Sequence, residues 1–311
     1  MSALHRAGGR RSGGGVAVAV EVDAHTLAVE QMRLGDHAFA HYADDATRWG
    51  VLGVFAQFGL ARGEKVIVLA DPAVPHDEVF QRLFPYAELY EAERESGQLA
   101  FTSMRELIRP QRRFTAERQM GRLREETEQA IVEGFAGLRS IIDMAWVQDL
   151  AMDIEGVMHR ETHADALFED RLYAEICTYD RRRFAPETVE AMRVGHPVAL
   201  LEQPGQLGAS HVDHGLRLVG EADWSTREQW SAAFHAALAG SGGEETLTID
   251  LTPVTFLSVT CAAEVLRQVQ RCALRARVEV RCSPFHAQLL RRLGACQVEA
   301  LVLVETEGAA R

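Results

Sequence analysis

Along the chain, apolar runs bounded by glycine or proline alternate with stretches whose apolar residues recur every three or four positions. Runs of the first kind predict strands buried on both faces, and the recurrence predicts helices with one apolar face. Gly35 to Tyr42 is a short apolar stretch after a turn. Asp44 to Leu60 has helical spacing through Trp49, Leu52, Phe55 and Phe58, and stops at Gly63. Lys65 to Ala70 reads as a buried strand, Glu78 to Glu95 as a helix, and Leu99 to Thr102 as a brief strand. A long charged helix is predicted over Thr115 to Gly134, then a buried strand over Leu138 to Met144. A helix over His163 to Leu172, a strand over Ala174 to Thr178 and a helix over Pro186 to Val194 complete this region. Strands alternating with helices imply a parallel sheet with crossover helices.

The pattern breaks at Gln203 to Ser210, whose Pro204, Gly205 and Ser210 mark a linker. Beyond it the alternation resumes on a smaller scale. Strands are predicted at Leu216–Gly220, Thr246–Leu251, Val278–Val280 and Leu301–Val304, with helices at Thr226–Leu238, Cys261–Leu274 and His286–Leu293. The organisation expected is therefore a tail over 1–15, a first α/β domain over 16–203, a linker over 204–211, a smaller α/β domain over 212–305 and a short tail over 306–311. The 311 residues suffice for two domains of about 190 and about 100 residues, each with its own core.

Composition narrows the function. The net charge is −12, and most of the excess acid falls in residues 1–211, so the sequence does not read as a non-specific nucleic-acid binder. The absence of a long uninterrupted apolar segment or a signal peptide, together with five cysteines lacking any Cys-x-x-Cys pair, predicts a cytoplasmic protein with free thiols. No Gly-x-x-x-x-Gly-Lys-Ser/Thr loop, Gly-x-Gly-x-x-Gly fingerprint, His-Glu-x-x-His or Gly-x-Ser-x-Gly elbow is present, so no enzyme activity is expected.

Some residues nevertheless invite chemistry. On a strand, His37, Phe39 and His41 face one way. Two histidines alone read more readily as hydrogen-bonded packing than as a metal site, with Asp36 placed to orient the His37 ring. Asp143 and Trp146 follow one predicted strand, and Cys177 and Tyr179 lie at the end of another, with His196 closing the domain. Their meeting at the carboxyl edge of the sheet would form a small-molecule pocket. Cys177 and Trp146 as plain core residues is the competing reading.

Two resemblances sharpen this. Gly35-Asp36-His37-Ala38-Phe39-Ala40-His41-Tyr42, Leu138 to Trp146, Glu175-Ile176-Cys177-Thr178-Tyr179-Asp180 and His196-Pro197 together resemble the MEDS sensory domain of bacterial regulators. The resemblance implies a P-loop-related α/β fold without its phosphate loop, and small-molecule sensing by His37, Cys177 and His196. Leu216 to Asp223, Asp250 to Leu257 and Leu289 to Gly294 resemble a STAS domain of the anti-sigma-factor antagonist type. That resemblance implies docking on an anti-sigma factor of the ATP-dependent serine-kinase class, with a phosphoacceptor at a helix start. This chain reads Ser258-Val259-Thr260-Cys261 where that family has Asp-Ser-Ser/Thr-Gly, which makes Thr260 the acceptor candidate, followed by Ser258. Either hydroxyl could instead only cap the helix.

The sequence thus predicts a non-catalytic signalling regulator with an unidentified ligand and no known cofactor or metal. It predicts an anti-sigma factor as partner, neither nucleic acid nor membrane as direct target, and is compatible with a homo-oligomer. A constitutive, unphosphorylatable scaffold and a nucleotide-binding α/β protein are the alternatives.

Overall fold

The computed structural model describes residues 19–109, 114–152, 156–157, 159, 163–212, 215–240, 246–271 and 277–306. The tail expected over 1–15 lies outside the described residues, as does that over 306–311 except for Thr306. Among the described residues, the strands in chain order are β1 (Val20–Glu21), β2 (Thr26–Leu27), β3 (His37–Tyr42), β4 (Lys65–Leu69), β5 (Leu99–Thr102), β6 (Leu138–Asp143) and β7 (Tyr173–Asp180). They continue with β8 (Val198–Leu200), β9 (Leu207–Val212), β10 (Gly215–Ala222), β11 (Thr246–Asp250), β12 (Val254–Leu257), β13 (Arg277–Cys282) and β14 (Leu301–Glu305).

The first sheet runs β2-β8-β3-β7-β6-β4-β5, and every described pairing in it is parallel. β4, β6 and β7 are buried along their whole length, as expected of strands covered on both faces. The helix Asp45–Ala61 covers one face. Asp44 starts it by accepting from the Thr47 amide at 2.9 Å, and Gly63, at φ +74°, turns the chain out of it into β4. Val51, Leu52, Phe55 and Ala56 of this helix pack with Val66, Val68, Ile141 and Ile176 of the sheet. The opposite face carries a second core around Phe39, Ile142, Cys177 and Tyr179, closed by Leu123, Phe168 and Met192.

Two predicted helices are shorter in the structure. Pro85 forces Phe84 into an extended conformation, so Glu78–Glu95 is not one helix but His76–Leu83, a 3-10 turn and Glu91–Glu95. His163–Leu172 holds only the 3-10 turn Asp165–Leu167, because the Asp170 carboxylate takes the Leu172 amide and ends the turn.

The second sheet runs β1-β9-β10-β11-β13-β14, with β12 pairing β10. β9 and β10 form an antiparallel hairpin, and the remaining described pairs are parallel. The linker expected over 204–211 is therefore corrected: only 204–206 connects, and Leu207–Val212 is a sheet strand. Gly220 breaks the register of β10 at φ +97°, where a Cβ would lie 2.0 Å from the Gln206 carbonyl oxygen, and this bulge turns Glu221 and Ala222 onto β12. The core of this unit gathers Trp230, Phe234, Ile249, Cys261, Val265 and Val280. Trp230 lies fully inside because its Nε1–H donates to the Cys261 carbonyl at 3.1 Å.

The N-terminal arm joins both sheets, β1 lying beside β9 and β2 beside β8. Arg217 of β10 donates to the Thr26 carbonyl at 2.9 Å, and Ala28, Leu201 and Val219 pack together across the junction.

Cys261, Cys282 and Cys296 are free thiols, Cys177 is buried against Glu175, and Cys272 lies outside the described residues. Burial raises the pKa of Cys282 to about 11, which keeps it protonated and unreactive near neutrality. No helix among the described residues is long and apolar enough to cross a membrane.

His286 follows the Ser283 cap of the helix Pro284–Arg292 and is buried, and burial lowers its pKa from 6.5. The unfolded chain then holds the extra proton more readily, so stability falls as pH drops below about 7 and levels off once the folded ring also protonates. Thermal melts from pH 7.5 to 5 should show this slope in the wild type and a shallower one in His286→Leu. An unchanged slope would assign it to other groups.

Candidate functional site

β3 lies between β7 and β8, and its register with β7 sets His37 opposite Glu175, Phe39 opposite Cys177 and His41 opposite Tyr179. Since strand side chains alternate, these six share one face of the sheet. The chain returns to this face at the end of the helix Pro186–Gly195, where His196 stands just before β8. Its Nδ1–H donates to the Met192 carbonyl at 2.6 Å, satisfying an end-of-helix carbonyl and putting the ring's lone pair on Nε2.

His37, Cys177 and His196 are all buried, with ligand atoms within 4.8 Å of one another. His37 Nε2 is 3.8 Å from the Cys177 sulfur, and the two imidazole centroids are 4.3 Å apart. Glu175 completes the group. One of its oxygens lies 2.9 Å from the Cys177 thiol, which donates to it, and 3.6 Å from His37 Nε2; the other accepts from the Tyr173 hydroxyl at 2.5 Å. Phe168 stacks on His37 at 4.9 Å, and Phe39 on Tyr179 at 5.2 Å, so aromatic rings wall the polar group from water. A fully buried carboxylate is costly unless donors surround it, and Tyr173 and Cys177 supply them.

The other candidates stand apart. Asp143 ends β6 at the carboxyl edge, in register with Thr178, so it falls on the opposite face from Cys177. There it pairs with Arg48 and accepts from the Ala145 amide at 2.9 Å. Desolvation raises its pKa, with Arg48 opposing. Trp146 packs on Phe114 at 4.6 Å within the core. Of the residues expected at one edge pocket, Asp143 is thus set on the opposite face from Cys177 and Tyr179, while Trp146 shares their core, because strand order alone does not reveal which face each residue takes. His41 shares the His37 face nearer the surface, 3.6 Å from Glu202, and burial lowers its pKa with Glu202 opposing. Asp36 accepts from the Arg33 amide at 2.8 Å, whereas Glu175 lies beside His37.

In the second unit, Ser258 accepts from the Cys261 amide at 3.2 Å, capping the helix Val259–Arg271, while Thr260 is exposed in its first turn. Trp224, Phe256, Val259 and Phe285 are exposed at this same carboxyl edge of the second sheet.

Sequence inspection passed over Glu175 and Tyr173. The available signal was parity: a glutamate two residues before Cys177 in an otherwise buried strand shares the cysteine's face.

A comparison with curated proteins gives no match. The family described as MEDS, the methanogen/methylotroph DcmR sensory domain, matches residues 36–197, a span that contains His37, Glu175, Cys177 and His196. As this match covers just over half of the chain, the protein belongs to the MEDS sensory-domain family.

Proposed function

We propose that the chain is a non-catalytic signalling regulator in which a small ligand, taken up at His37, Cys177 and His196, controls a STAS-type C-terminal domain that docks on an anti-sigma factor of the ATP-using serine-kinase class. Transcription is then affected indirectly. The observation that carries this reading is the convergence of buried imidazoles, thiol and carboxylate inside a domain of a sensory family. The thiol sits closer to a carboxylate than to an imidazole, at 2.9 against 3.8 Å, an arrangement suited to holding a proton rather than to activating a nucleophile.

A route from sensor to output supports the same reading. His196 immediately precedes β8, β8 pairs with β2, and the Thr26 carbonyl of β2 accepts from Arg217 of β10. β10 ends at Ala222, whose carbonyl accepts the Ser258 amide beside the acceptor candidate Thr260. A ligand that moves His196 therefore has a path of chain segments and hydrogen bonds to that segment. The STAS reading of residues 212–305 draws on the β-hairpin followed by strand–helix repeats and on the exposed apolar group around Thr260.

The competing nucleotide-binding reading meets an obstacle at the helix Asp45–Ala61. Its N-terminus, where a phosphate would sit, is taken by the chain's own Asp44, bonded to Thr47, and by Asp45, bonded to Arg82 and Arg182.

The test is the affinity of the full chain for candidate anti-sigma kinases of the ATP-using serine-kinase class. Thr260→Glu, which mimics part of the phosphate charge, should weaken binding by about tenfold or more, with Thr260→Ala close to wild type. Equal binding by all three would remove Thr260 as a switch, and no binding by any would remove the partner.

A further inference from the structure

We infer that the buried group of His37, Cys177 and His196, with Glu175 beside it, is a binding site for a divalent transition-metal ion of the zinc class. This rests on the sensory reading above and names the chemical class of its ligand.

Geometry is the first argument. Two donors on one tetrahedral zinc stand about 3.3–3.7 Å apart, given bonds of about 2.3 Å to sulfur and about 2.0–2.1 Å to nitrogen. Here His37 Nε2 and the Cys177 sulfur are 3.8 Å apart, and the three ligand atoms of His37, Cys177 and His196 all lie within 4.8 Å. A contraction of at most about 1.5 Å closes the set around an ion.

Charge is the second. A Cys177 thiolate on the ion and the Glu175 carboxylate beside it together offset a dipositive charge, and the two neutral imidazoles bring the donors to three. On binding, the sulfur forms a bond to the metal and its proton, now given to Glu175, leaves to solvent.

Orientation is the third. The Met192 carbonyl fixes the tautomer of His196, and the Tyr173 hydroxyl holds one oxygen of Glu175 so that the other faces Cys177 and His37. Partners of this kind are what orient ligands at metal centres. Neither His41 nor the pair His159 and His163, whose rings lie tilted with centroids 4.1 Å apart, belongs to this cluster.

The experiment titrates Co2+ into the full-length, metal-stripped chain and follows its absorption, with Zn2+ as competitor. The expected result is about one ion per chain, a thiolate-to-cobalt charge-transfer band, and loss of both on adding Zn2+. Cys177→Ser, close in size to the native residue, should lose the charge-transfer band, and His196→Gln should weaken binding by about tenfold or more. Absence of saturable binding in the wild type, or a band that survives in Cys177→Ser, would overturn the inference. Hydrogen exchange at the start of the helix Val259–Arg271 in the same samples separates the two proposals. Saturable Co2+ binding without any change there leaves the metal site standing and removes its coupling to the C-terminal domain. Absent Co2+ binding removes the metal site alone.

Discussion

Replacing Glu64 by alanine should destabilise the N-terminal unit by about 3–5 kcal/mol, the cost of leaving a buried charge without its partner. Arg139, in the middle of the first sheet, is fully buried, and its Nε–H donates to Glu64 at 2.5 Å. The rest of the guanidinium reaches the Phe55 and Met32 carbonyls at 3.3 and 3.4 Å and lies over the Phe55 ring at 4.5 Å. Those neutral contacts cannot replace a carboxylate. Burial already lowers the arginine's pKa, with Glu64 opposing, so removing Glu64 exposes the full desolvation cost. The double replacement Glu64→Leu with Arg139→Met removes both charges and should recover most of the loss. Urea unfolding of the three proteins measures this. A Glu64→Ala change below about 1 kcal/mol would mean that water reaches the guanidinium.

The second large effect concerns docking. Trp224 is 86% exposed, beside the bend that Asp223 fixes by accepting the Ser225 and Thr226 amides. Phe256, Val259 and Phe285 are exposed on the same edge. Exposed apolar side chains grouped around a switch candidate are the composition of an interface centre, where truncating a tryptophan commonly costs about 2 kcal/mol or more. If the proposed anti-sigma kinase docks here, Trp224→Ala should weaken its binding by about 30-fold with little change in melting temperature. Calorimetric titration gives the affinity, and an unchanged value would move the docking surface elsewhere.

How much of this was legible in the sequence depends on local signal strength. Lys65–Leu69 and Leu138–Asp143 could be read because they are apolar runs buried on both faces, and Asp45–Ala61 because Asp44 and Gly63 mark its ends. β2 and β8 span only two and three residues, too few to show a period. β9 was hidden by Gly208, Ser210 and His211, which resemble a linker, and its strand character comes from pairing with β10 on one side and β1 on the other. That β1 and β2 would serve different sheets is a long-range fact that no local pattern carries.

The site divides in the same way. His37, Cys177 and His196 stood out through residue type and the MEDS resemblance, but their meeting depends on the order β7-β3-β8. Glu175 escaped notice because a glutamate in a buried strand has meaning only once its donors, Tyr173 and Cys177, are seen on the same face. Asp143 and Trp146 were placed at the correct edge of their strand, yet one residue of register sends Asp143 to Arg48, and Trp146 goes to Phe114.

The central claim is that His37, Cys177 and His196 hold the signal to which the chain responds. Native mass spectrometry of the full chain purified from its source, beside Cys177→Ser prepared identically, tests it most directly. The account predicts an added mass on the wild-type chain that the variant lacks. Identical masses on the two proteins, each matching its own sequence or carrying the same addition, would contradict it.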